Sequence, residues 1–123
     1  MKHKYLYIVV LLTISLSSFS QATGDFRSKG VGPSNWSDGN SWETYDESTT
    51  SWTTTSPSTY PGQNAGSYTV TIQGGSEVTI STNLSTASMG DVVVKGTLNL
   101  SPATSPNTIT LLTQNLDINA GNL

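Results

Sequence analysis

Tyr68-Thr69-Val70-Thr71-Ile72, Glu77-Val78-Thr79-Ile80, Asp91-Val92-Val93-Val94, Thr97-Leu98-Asn99-Leu100, Ile109-Thr110-Leu111 and Leu116-Asp117-Ile118 are short segments in which apolar and small polar residues alternate. A period of two places Val70, Ile72, Val78, Ile80, Val92, Val94, Leu98, Leu100, Ile109, Leu111, Leu116 and Ile118 on one face, which is expected to be buried, with Thr and Asn on the other. Each segment is too short for a helix. Tight corners at Gln73 to Ser76, Lys95-Gly96 and Thr113 to Asn115 join them in pairs, with Val70, Val92 and Ile109 in the first members and Val78, Leu98 and Leu116 in the second. The pairs recur about every 17 to 22 residues. A repeat near 20 residues with one apolar track per strand predicts an all-β chain of the β-solenoid type, about three coils in all, each stacked in parallel on the last and burying a face it cannot bury alone. The alternative is an antiparallel β-sandwich, with Val94-Lys95-Gly96-Thr97 as a two-residue hairpin turn. Strand direction separates the two, since parallel stacking of Val70 on Val92 and Ile109 belongs to the solenoid alone.

Toward the N-terminus the composition changes near Ala65. Residues 21–64 hold all three tryptophans, Trp36, Trp42 and Trp52, are rich in Ser, Thr, Gly and Asn, and show no apolar period of 3.6 residues. They are expected to form a Trp-rich cap or loop segment, ahead of a solenoid that begins at 65 and continues beyond 123. The run Thr49 to Thr59 is its expected loop. Earlier still, Lys2, His3 and Lys4 precede the uncharged stretch Tyr5 to Leu16, which leads to Ser17, Ser18, Phe19 and Ser20. A positive start, an apolar run and small residues before the cut predict a signal peptide over 1–20, cleaved between Ser20 and Gln21, with an uncleaved membrane anchor as the alternative. The apolar run falls short of the roughly 20 residues of a stable span, so no membrane span is expected in the mature chain.

Loss of the leader would remove the chain's only histidine and two of its five basic residues. Arg27, Lys29 and Lys95 then face eight acids. Without a basic surplus the chain is a poor match for nucleic acid. With neither Cys nor His in 21–123, a thiol nucleophile, a Ser-His-Asp triad, histidine acid/base chemistry and a structural zinc site are excluded by count. No phosphate-binding loop, nucleophile elbow or dinucleotide fingerprint occurs, no cofactor is called for, and no catalytic residue is assigned.

Gly24-Asp25-Phe26-Arg27-Ser28, then Asn35-Trp36-Ser37-Asp38, Ser41-Trp42-Glu43-Thr44-Tyr45 and Trp52, followed by Pro61 and Tyr68 to Ile72, resemble the start of mature secreted β-helix proteins of the Bacteroidota. The resemblance spans most of the mature chain and is carried mainly by the aromatic opening. It implies right-handed parallel β-helix coils in a large exported or surface-attached protein, often with a type IX secretion sorting tail, of the eight-glycine or pectin-lyase-like β-helix type. No sorting tail is present in this sequence, which predicts a fragment of something longer.

Three functional readings follow. The first is an exported, non-catalytic structural or adhesive surface module. The second is the N-terminal part of a lyase- or hydrolase-like polysaccharide enzyme with its active site beyond residue 123. The third is a small glycan-binding module in which Trp36, Trp42 and Trp52 stack on sugar rings beside Asn35, Asp38, Asn40 and Glu43. Against the third stands the reading that these tryptophans cover the open end of the solenoid. Asp38, Glu43, Asp46 and Glu47, with Asn40, are weak candidates for calcium ligands, because no twelve-residue calcium loop is present and solvated acidic loops are common. Polysaccharide or cell-surface glycan is the expected partner, and the cell surface or medium the expected location.

Overall fold

The computed structural model describes residues 20–101 and 109–118, so all but the last residue of the leader expected over 1–20 lies outside the described residues, as does the part of the expected solenoid past 118. The strands are β1 (Phe26–Ser28), β2 (Gly32–Asn35), β3 (Trp42–Asp46), β4 (Ser51–Thr54), β5 (Val70–Ile72), β6 (Ser76–Ile80), β7 (Leu84–Met89), β8 (Val92–Val94), β9 (Thr97–Leu100), β10 (Leu111–Thr113) and β11 (Leu116–Ile118). One 3-10 turn, Gly39–Ser41, is the only helical element among the described residues. The chain is all-β.

The strands form three sheets, ordered β11-β8-β5-β1-β3-β4, β2-β6-β9 and β10-β7. In the first, Val70 lies beside Val92 and Val92 beside Leu116, while Ile72 pairs Val94 and Val94 pairs Ile118, all in parallel. In the second, Val78 lies beside Leu98 and Ile80 beside Leu100, again in parallel. Like side chains therefore stack along each sheet, and the alternation on each strand turns one set inward. β1 and β2 extend the stacks back into the Trp-rich segment: Phe26 pairs Val70 and Ser34 pairs Val78, both in parallel. Beyond β1 the first sheet becomes antiparallel, with β3 against β1 and β4 against β3. The run expected to be a loop at Thr49 to Thr59 thus contains an edge strand, because Ser51 to Thr54 completes the ladder that β3 leaves open.

The hairpin of the sandwich alternative is absent. β8 and β9, which Lys95-Gly96 joins, belong to different sheets, so Lys95-Gly96 is a corner between faces. The pairing of segments into twos also needs correction. Leu116 is a partner of Val92, not a counterpart of Val78 and Leu98, and Ile109 precedes a strand that pairs with β7. β5, β6 and β7 go in turn to the three sheets, as do β8, β9 and β10, and β7 is a strand that the alternation does not reveal. Its buried residues Leu84, Ala87 and Met89 break the period of two, and its pairing with β10 shifts register between Leu111 and Thr113.

Val70, Ile72, Val78, Ile80, Val92, Val94 and Leu98 are buried as expected and form one cluster with Phe26, Trp36, Trp42, Leu84 and Met89. Ile109 and Leu111 pack against it partly buried. Leu100, Leu116 and Ile118 depart from expectation at 57%, 46% and 41% exposed. Each lies on the last strand of its sheet among the described residues, so its face is covered on one side only.

Tyr68 closes the core near the Trp-rich segment, edge-on to Phe26 at 5.1 Å between ring centroids, with its hydroxyl donating to the Asn64 carbonyl at 2.7 Å and accepting from the Gly62 amide at 2.9 Å. Burial pushes this phenol above its ordinary value of 10.0, with the Gly62 hydrogen bond opposing. A raised folded-state value means that the neutral phenol stabilises the fold fully below the unfolded value, and that this contribution is lost as pH rises through the folded one. Thermal melts should show a fall in stability above about pH 10. Tyr68→Phe should flatten that fall; an equal slope in the variant would place the alkaline sensitivity elsewhere.

Candidate functional site

Alternation on β1 turns Phe26 and Ser28 inward and Arg27 outward. Across the antiparallel ladder Arg27 meets Glu43, and its Nε donates to Glu43 Oε2 at 2.7 Å. The two side chains are 32% and 20% exposed, so the pair is worth only about 0.2–1 kcal/mol, and its larger effect is to fix the guanidinium. That guanidinium lies over Trp52 on β4, 4.4 Å from the ring centroid. Tyr45, the cross-strand partner of Trp52, packs against the same ring at 5.2 Å. Glu43, Arg27, Tyr45 and Trp52 thus make one outward-facing unit at the β4 end of the first sheet.

Along the stack the same outward row continues through Thr71, Val93 and Asp117. A groove of about 360 Å³ runs over it, lined by Arg27, Trp52, Thr69, Thr71, Gln73, Val93, Lys95 and Asp117, with Asp25, Gly74 and the buried Phe26 at its border. Ser20 and Gln21, the expected cleavage residues, are exposed and also line it. Asp25 is held in place: its Oδ1 accepts from the Thr69 amide and its Oδ2 from the Ala22 amide, each at 2.8 Å. A second, shallower concavity of about 530 Å³ lies beside the 3-10 turn, among Lys29, Pro33, Ser34, Asn35, Asp38, Asn40, Ser41 and Thr79.

The three tryptophans do not form one platform. Trp36 and Trp42 have no solvent exposure, meet edge-to-face at 5.0 Å, and spend their Nε1 donors on the carbonyls of Pro61 and Trp36, both at 2.8 Å. Neither offers a ring face to a sugar, and that part of the glycan reading is corrected by their burial. Trp52 alone is half-buried and borders a groove.

The calcium candidates are likewise dispersed. Asp38 precedes β3 and caps the 3-10 turn, accepting from the amide and side chain of Asn40. Asp46 ends β3 and accepts from the amide and hydroxyl of Ser48. Those hydrogen bonds, the hydroxyl's first, hold the Asp46 carboxyl below the usual carboxylate range. Glu47 follows it in the turn, exposed, while Glu43 is committed to Arg27. Among the described residues no group of three or more His, Cys, Asp or Glu side chains comes together to hold a metal ion.

Arg27, Thr71, Gln73, Lys95 and Asp117 were not singled out by the sequence as site residues. The one signal available was that Arg27 and Lys95 are two of only three basic residues after residue 20. No helix among the described residues is long and apolar enough to cross a membrane. Compared with protein-family models, with curated proteins and with solved structures, the chain finds no match in any of the three.

Proposed function

We propose that this chain is an exported, non-catalytic structural module, a piece of a surface-presented right-handed parallel β-helix whose Trp-rich segment covers one end. The observation that carries the reading is the in-register parallel stacking of Val70, Val92 and Leu116 alongside that of Val78 and Leu98. Two sheets advancing together by one strand per repeat are what a coiled chain produces, and right-handed connection between parallel strands is the strong rule. The residue inventory supports a passive role, since 21–123 hold neither Cys nor His. So does the likeness of the aromatic opening to secreted Bacteroidota β-helix proteins, which are exported or surface-attached.

Two measurements test this. Duplicating Val70 to Asp91 inserts one further repeat, and the enlarged chain should fold with an equal or higher melting temperature, because stacked repeats add nearest-neighbour interfaces. An insoluble or unfolded duplicate would sink the coil architecture. Expressed with its leader in a Gram-negative host, the protein should cross the inner membrane and be recovered with Gln21 as its first residue; retention of the leader in the inner membrane would contradict export.

A further inference from the structure

We draw no further inference here: the strongest candidate, the end of the stack at which Leu100 on β9, Leu112 on β10 and Leu116 and Ile118 on β11 stand exposed on the last strand of each sheet among the described residues, is an apolar face for which nothing in the structure shows what covers it.

Discussion

Trp42→Ala is expected to destabilise the protein by about 3–5 kcal/mol, the range for emptying a buried tryptophan site. The indole has no solvent exposure, Phe26 meets it edge-on at 6.4 Å and Trp36 at 5.0 Å, and its Nε1 donates to the Trp36 carbonyl at 2.8 Å. Removing it leaves a cavity against Phe26 and Trp36 and strips a buried carbonyl of its donor. Trp36 depends on the same site, since its own Nε1 reaches across to the Pro61 carbonyl and anchors the long connection between β4 and β5. Small domains have about 5–15 kcal/mol of stability, and this one has no disulfide to compensate, so urea denaturation should show the variant close to unfolded in the absence of denaturant. Trp42→Phe should fall between, keeping most of the apolar area but leaving the Trp36 carbonyl unpaired at about 1–3 kcal/mol. Trp52→Ala, on an edge strand and half-buried, should cost about 1 kcal/mol. If Trp42→Ala unfolds no more easily than Trp52→Ala, the end of the stack is not held by its tryptophans.

Gly96→Ala should also be strongly damaging, at about 3 kcal/mol. Gly96 sits in the corner between β8 and β9, which lies directly against the corner between β5 and β6. A Cβ on Gly96 would collide with the backbone carbonyls of Gln73 and Ser76 and stand 3.3 Å from Ile72 Cγ2. The colliding atoms are main chain and cannot rotate away. Relief requires separating the corners, which stretches the bonds from the Lys95 and Gly96 amides to the Ile72 carbonyl, now 2.8 and 3.2 Å. Gly74 is the control: it is exposed, and its nearest neighbour to a new Cβ is the Lys95 carbonyl at 3.9 Å. Gly74→Ala should stay within about 0.5 kcal/mol of the parent in the same urea titration. Equal costs for the two variants would mean that the corners do not stack.

The strands that the sequence made legible are those whose residues alternate strictly. Val70-Thr71-Ile72 and Val92-Val93-Val94 each place two branched side chains inward around one outward residue, and this pattern holds wherever the strand sits. β7 was illegible because its register shift breaks the alternation, and β1 and β2 because three- and four-residue strands containing Arg27, Gly32 and Pro33 carry too little apolar pattern to stand out. The exposure of Leu100, Leu116 and Ile118 was equally out of reach, since alternation states which face a residue is on but not whether another layer covers it.

The groove shows the same division. Its side chains come from Arg27, Trp52, Thr71, Lys95 and Asp117, separated by some twenty residues at each step. Only the pairing of distant strands, parallel from β1 through β5 and β8 to β11 and antiparallel through β3 to β4, brings them together. The tryptophans illustrate the converse, because their types announced importance and only burial assigned it: Trp36 and Trp42 to the core, Trp52 to the groove.

By itself the sequence determined the all-β character, the inward tracks of β5, β6 and β8, the corner at Lys95-Gly96, and the absence of cysteine and histidine chemistry from 21–123. Tertiary structure alone decided that β5, β6 and β7 go to three different sheets, that Leu116 belongs beside Val92, and that Arg27 meets Trp52. The physical reason is range. Side-chain alternation and backbone turns are properties of a few consecutive residues, whereas register between strands and the burial of an indole are set by contacts between residues that only the folded chain makes neighbours.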